Sequence, residues 1–384
     1  MKYRNAIQSK LPHVGTTIFT VMSKLSNECK AINLSQGFPD FNGSQELISM
    51  VNEYMKKGCN QYAPMQGIIP LRECIAEKIE KLYSTKYNPD TEITITAGGT
   101  QAIYTAITAI VREGDEVIIF APAYDCYAPA VELCGGRPVY VQLDYPKYSI
   151  NWDRVRKLFN HNTKLIIINT PHNPTGTILT AQDMAKLEHI TKDTNIVVVS
   201  DEVYEHILFD GYEHQSVARF PKLAERSFIV FSFGKTFHNT GWKVGYVLSP
   251  ENLMAEFRKV HQFNVFAVNT PIQHALADFI KDEKNYSEVP QLYQAKRDFF
   301  NSRLKNSKFQ IIPSAGTYFQ LLDYSKITKE KDTDFAVRLT KEFGVASIPI
   351  SVFYQKPVES KVLRFCFAKT EETLEKATEI LCGV

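Results

Sequence analysis

Between about residues 90 and 250 the chain alternates short apolar, β-branched runs with longer amphipathic stretches, and no other feature constrains the fold as tightly. Runs such as LIIIN, IVVVS and FIVFSF are apolar without interruption. A strand with one face in water would alternate, so these strands are expected to be buried on both faces, as in a parallel sheet covered by helices. Seven strands are predicted, at residues 92–96, 116–120, 138–143, 164–169, 195–200, 227–233 and 244–248. Ile103, Ile107, Ile110 and Val111 recur at helical spacing and predict a helix over 100–112. From about Pro290 the character changes. A charged helix (QLYQAKRDFFNSRLKNS) precedes the strands FQIIPS, TYFQLLD and VLRFCFA and a closing helix, TEETLEKATEIL. This reads as a smaller α+β domain, which the N-terminal segment joins.

At 384 residues, 44% hydrophobic and 22% charged, the chain can bury a full core and is long enough for a large and a small lobe. Its 44 basic and 42 acidic side chains leave a formal charge of +2, which gives no electrostatic case for nucleic acid. No apolar run reaches the roughly 18 residues a membrane span needs, and the first residues lack the apolar core of a secretory signal. The seven cysteines are odd in number and contain no C-x-x-C pair, which suits reduced thiols in the cytoplasm and neither a disulfide frame nor a structural metal site.

In an open parallel sheet, ligands collect beyond the carboxyl ends of the strands. Thr96-Ala97-Gly98-Gly99-Thr100-Gln101 leads from the first strand straight into a helix, whose free N–H groups suit a phosphate. Its ordinary alternative is a tight glycine turn with Thr100 as the cap. Without G-x-G-x-x-G, a nicotinamide site is disfavoured. Asp201, after an apolar run, is expected at a strand end, partly desolvated and in need of a cation, or else as a helix cap. The next strand delivers Lys235, which becomes a usable amine nucleophile if brought out of water. Gly234-Lys235-Thr236 is not a P-loop, because Ile229 stands where that motif needs glycine. His172-Asn173-Pro174-Thr175-Gly176 and Ala121-Pro122-Ala123-Tyr124 follow two further strands. Asn173 belongs to a turn in the ordinary reading, and Tyr124 either stacks on a flat ring or seals the core. Arg364 alternates with Leu363 and Phe365 and can offer its fork to a carboxylate, or form a surface salt bridge.

Taken in order with Ser35-Gln36-Gly37-Phe38-Pro39-Asp40-Phe41, Asn60-Gln61-Tyr62 and Thr240-Gly241-Trp242-Lys243-Val244-Gly245, these motifs resemble the class I, fold type I pyridoxal-phosphate aminotransferases along essentially the whole chain. Within that family the chain is most similar to the kynurenine/glutamine/methionine group and its bacterial methionine aminotransferases. The resemblance implies an α/β fold with a seven-stranded, mostly parallel sheet in a large domain, residues 46–280, and a small domain from residues 1–45 and 281–384. It implies that Lys235 forms an imine with the cofactor aldehyde and then shuttles a proton, and that Asp201 partners the pyridine nitrogen. By the same resemblance Asn173 and Tyr204 donate to the ring's 3′ oxygen, and Tyr124 stacks on the ring. Gly99, Thr100, Gln101, Ser232 and Lys243 form the phosphate cup, with Tyr62 reaching in from the second subunit of a homodimer. Arg364, the Gly37 backbone and Asn173 hold the substrate carboxylate.

Phe19, Tyr62, Tyr124 and Phe266 are candidates for an aromatic side-chain pocket, and no second arginine can be assigned to a distal carboxylate, which disfavours aspartate. Ala267-Val268-Asn269-Thr270 stands where the mammalian kynurenine enzymes are expected to carry a histidine. The implied reaction moves the amino group of methionine, with aromatic amino acids or glutamine as further donors, to a 2-oxo acid by a ping-pong route. The alternatives are β-elimination from cysteine conjugates or cystathionine and, from another class, a cofactor-binding transcription regulator. The regulator is disfavoured by the short segment ahead of Ser35.

Overall fold

The computed structural model describes residues 7–356 and 358–384. The domain division expected above begins with six residues that lie outside this range. Strand β1 (Ile32–Asn33) comes first, followed by β2 (Ile93–Thr96), β3 (Glu116–Ala121), β4 (Arg137–Gln142), β5 (Thr163–Asn169), β6 (Val197–Asp201), β7 (Ser227–Ser232) and β8 (Gly245–Leu248). The later strands are β9 (Gln310–Ile312), β10 (Phe319–Asp323), β11 (Val345–Ala346), β12 (Ile348–Pro349) and β13 (Val362–Cys366).

Strands β2 to β8 form one seven-stranded sheet in the order β2-β8-β7-β6-β5-β3-β4. Every pairing in it is parallel except those of β8, which runs antiparallel to both β7 and β2. All seven strands predicted from the sequence are present, with ends displaced by two residues or fewer. The unbroken apolar runs have the predicted cause: β2, β3 and β6 are buried at every position. One face packs Ile119, Ile167 and Val199 against Ala102, Ala106 and Phe257, and the other packs Ile118, Ile166 and Val198 into the main core. At about 25 cal/mol per Å² of apolar surface removed from water, this two-sided burial is the main stabilising term of the sheet.

The expected helix after β2 spans Gly99–Ile110, and Gly98 is its N-cap at φ 81°. Thr100 therefore lies inside the first turn and does not cap it, which corrects the turn-and-cap reading. The positive φ is a conformation that glycine adopts without steric cost.

The last third forms an antiparallel sheet in the order β12-β13-β10-β9, and β1 pairs in parallel with β11 through Ile32↔Val345 and Asn33↔Ala346. The helices Val289–Arg303 and Glu371–Cys382 match the two predicted around this sheet. The two-residue strands β1, β11 and β12 were not predicted. Among the described residues no helix is long and apolar enough to cross a membrane.

Candidate active site

The carboxyl ends of β5, β6 and β7 meet the N-terminus of the Gly99–Ile110 helix around a cavity of about 340 Å³. Parallel register puts Asn169 beside Asp201 and Asp201 beside Val230, so Ser232 and then Lys235 follow on the adjoining strand end. Gly99, Thr100, Tyr124, Asn173, Asp201, Tyr204, Ser232, Lys235, Lys243, Gly37, Phe19 and Arg364 all line this one cavity. These residues span most of the chain, from Phe19 to Arg364, and no local motif brings them together.

Asp201 is the last residue of β6 and is buried. Burial pushes its carboxyl up to about 6, opposed by a hydrogen bond from Tyr127. Tyr127 Oη donates to Oδ2 at 2.5 Å, and the backbone N–H of Val203 donates to Oδ1 at 3.3 Å. Asn169 fixes the strand end by donating to the Asp201 carbonyl at 2.8 Å, while its own oxygen accepts from the Asn173 N–H at 2.7 Å.

Lys235 sits in the single helical turn Phe233–Thr236 that follows β7. Burial lowers its ammonium to about 8, which leaves a substantial neutral fraction near physiological pH. Its Nζ donates to Tyr318 Oη at 2.8 Å and lies 3.4 Å from the Gly37 carbonyl. Among the described residues it forms no ion pair with Asp201, so the amine and the carboxylate look into the same space without neutralising each other.

Lys243 has φ 56°, ψ 48°, a strained conformation for a side chain of this size, at the end of the turn Thr240–Trp242. A Cβ placed on Gly98 would stand 3.6 Å from its Nζ, so the ammonium lies close to the helix N-terminus. Two positive features thus converge with no carboxylate between them, and among the described residues Lys243 has no ion pair. That is the electrostatics of an anion seat.

Arg364 is 1% exposed, and burial lowers its guanidinium to about 10. Phe319 lies 3.8 Å from its guanidinium carbon, with Phe353 at 5.1 Å and Phe19 at 5.3 Å. Nη1 donates to Asn173 Oδ1 at 2.7 Å and Nη2 to the Ser35 carbonyl at 3.2 Å, whereas the buried Nε–H has no partner. A buried guanidinium with an unmet donor and, among the described residues, no carboxylate in ion-pair contact is fitted to receive one from a ligand. The surface-salt-bridge alternative is therefore excluded.

Pyridoxal phosphate, the group that the sequence resemblance implies, fits these residues. The anion seat suits its phosphate, Lys235 its aldehyde and Asp201 its ring nitrogen, while the Tyr124 ring borders the same space.

Three sequence candidates stand apart. Gln101 directs its side chain away from the cavity: Oε1 accepts from the Ala97 N–H, and Nε2 faces Thr105 and His261. Its backbone N–H, in the first turn of the helix, is the part of Gln101 left to serve the phosphate cup. Tyr62, 83% exposed, and Phe266 pack edge to face at 5.3 Å outside this chain's cavity. Phe266 is not among the residues that line this chain's own cavity and stands with Tyr62. Conversely, the sequence reading missed Tyr127, Tyr318, Phe319 and Phe353. Lone aromatics on a helix or beside a strand have the pattern of core residues, and no sequence signal separated these from the rest.

The family model for aminotransferase class I and II matches residues 30–381. The chain is 50% identical over 375 residues to the methionine aminotransferase of Escherichia coli strain K12, covering 97% of both. The crystal structure of Escherichia coli YbdL, reported with a methionine aminotransferase function, superposes with a TM-score of 0.96 at 48% identity, covering 99% of this chain and all of that one. The N-succinyldiaminopimelate aminotransferase of Mycobacterium tuberculosis superposes with a TM-score of 0.95 at 35% identity, covering 98% of this chain and all of its own.

Proposed function

Because the chain belongs to the class I and II aminotransferase family, we propose that it transfers the amino group of methionine, and less specifically of aromatic amino acids or glutamine, to a 2-oxo acid by a ping-pong route. The observation that carries this reading is that a desolvated lysine, a buried carboxylate and a half-satisfied buried arginine line one cavity, whose only arginine among the described residues is Arg364. One arginine accounts for the α-carboxylate common to all amino acids. With Phe19 and Tyr124 beside it, the site favours an uncharged side chain over that of aspartate. That the Escherichia coli relative is a methionine aminotransferase supports the same choice.

Bound pyridoxal phosphate supplies an electron sink for the charge that develops at the substrate Cα. Gly99, Thr100, Ser232 and Lys243, with the backbone of Gln101, would hold its phosphate. Tyr124 would cover the ring, Asn173 and Tyr204 would donate to the 3′ oxygen, and Asp201 would keep the ring nitrogen protonated. Arg364, the Gly37 backbone and Asn173 orient the substrate by its carboxylate, which fixes the Cα bond to be broken. Lys235 Nζ would take the Cα proton and hold it for delivery to the cofactor's former aldehyde carbon, a task suited to an amine near 8.

Tyr62 is proposed to complete the phosphate cup of a second copy in a homodimer, a reading supported by its exposure beside Phe266. Residues 46–280 are taken as the large domain and residues 1–45 with 281–384 as the small one. The seven free cysteines support a reducing, cytoplasmic setting.

Methionine added to the cofactor-loaded enzyme is expected to convert the aldehyde absorbance to that of the amine form. No conversion with methionine, against ready conversion with aspartate, overturns the assignment. Pyruvate and ammonia released from a cysteine conjugate without any added oxo acid would identify a β-lyase instead.

A further inference from the structure

Tyr318 stands just ahead of β10 and is fully buried. Its Oη donates to the Gly37 carbonyl at 2.5 Å and receives Lys235 Nζ at 2.8 Å. A phenol has one proton. With that proton held by Gly37, the oxygen can act toward Lys235 only as an acceptor. Burial raises the Tyr318 phenol well above its ordinary value, so the hydroxyl remains protonated. Gly37 has to be glycine for this approach, since a Cβ there would come within 2.7 Å of the Phe319 ring. The chain Gly37 carbonyl, Tyr318 hydroxyl, Lys235 amine thus connects the segment just after β1, the small antiparallel sheet and the turn after β7.

We propose that Tyr318 is the positioning residue for Lys235: it draws one Nζ–H toward the N-terminal segment and stabilises the amine in its charged form whenever the lysine is not joined to the cofactor. From the proposed function this takes only that Lys235 is the reacting amine. When Nζ has accepted a proton it becomes an ammonium in a desolvated place, and Tyr318 with the Gly37 carbonyl supplies neutral acceptors there. Of the other groups facing the amine, Asp201 favours its charge and Lys243 and Arg364 oppose it, while burial raises the Cys366 thiol and keeps it neutral. The Tyr204 and Tyr318 rings lie 5.6 and 5.5 Å from Nζ.

The test is made on the cofactor-free protein by competitive labelling of Lys235 with acetic anhydride across pH, read by mass spectrometry. Tyr318→Phe removes an acceptor for the ammonium and is expected to move the labelling midpoint down by about 1 pH unit. With cofactor bound, the variant's kcat is expected to fall while KM for methionine holds. If the Phe variant does not fold, 3-fluorotyrosine at 318 keeps the shape, weakens the oxygen as an acceptor and is expected to move the midpoint down by a smaller amount. An unmoved or raised midpoint in a folded variant overturns the role of Tyr318. Failure of the unsubstituted enzyme to form a borohydride-reducible link at Lys235 would instead overturn the proposed function, so the two failures are distinguishable.

Discussion

Tyr127 Oη lies 2.5 Å from Asp201 Oδ2, at the end of β6. The tyrosine comes from the short helix Tyr127–Leu133, and burial holds its phenol well above the ordinary value, so it acts only as a donor. It steadies the ionised carboxylate against the desolvation that pushes it up to about 6. In Tyr127→Phe that support is lost, and the Asp201 carboxyl rises further. The acid limb of kcat/KM for methionine is expected to move to higher pH by about 1 unit, with most activity recovered at pH 9. Superimposable acid limbs would show that the bond does not tune Asp201.

The same carboxylate predicts a stability cost. Its folded value, about 6, is above the ordinary 3.8, so its contribution is favourable in acid and is lost as pH rises through 6. Cofactor-free Asp201→Asn is therefore expected to be more stable than the parent at neutral pH. The gap should widen by about 1 kcal/mol between pH 5 and pH 8. Urea midpoints at the two pH values measure it, and a gap that narrows toward alkaline pH would contradict the assignment.

Lys235→Ala is expected to keep pyridoxal phosphate through the phosphate seat and to lose the borohydride-reducible link. Turnover should fall by about three orders of magnitude or more. Residual activity near the parent level would assign the chemistry to another lysine.

Removing Arg364 leaves the substrate carboxylate without its fork and leaves Phe19, Phe319 and Phe353 around a void. Arg364→Lys retains charge but cannot make the paired contact. For every amino acid donor alike, KM is expected to rise by about 100-fold in Arg364→Ala, and by less in Arg364→Lys. A loss confined to one donor would place Arg364 against a side chain.

Mixing two inactive variants tests the shared site. If Tyr62 serves the neighbouring copy, a dimer of one Tyr62→Ala chain and one Lys235→Ala chain contains one intact site. Refolding the two variants together at equal amounts should then restore about a quarter of the parent activity, provided Tyr62→Ala alone is strongly impaired. No recovery beyond the sum of the separate variants would mean that Tyr62 does not act across an interface.

The sheet was legible because burial on both faces leaves a coarse signal. Ile166, Ile167 and Ile168 can be apolar in succession only if neither side of β5 meets water. The two-residue pairing of Ile32–Asn33 with Val345–Ala346 has no period to detect, and its partner is remote in sequence. Asp201, Lys235 and Asn173 were legible at the site because polar residues directly after apolar strands must emerge at the sheet's edge. The place of Gln101 in the first helical turn was legible, but that place fixes where its N–H points and not where its side chain goes. Tyr127 and Tyr318 were illegible because a tyrosine that tunes a neighbour and one that only fills space differ in the partner of a single oxygen.

The pairing of Ile32 with Val345 also sets an order of birth. A ribosome has finished every residue of the phosphate seat, the acid at 201 and the amine at 235 long before it reaches residue 345 or Arg364. The earliest strand waits, unmatched, for more than three hundred residues of synthesis. A message cut short late in its reading frame would therefore yield a chain with all the parts that grip the vitamin and none of the fork that selects what the vitamin acts upon.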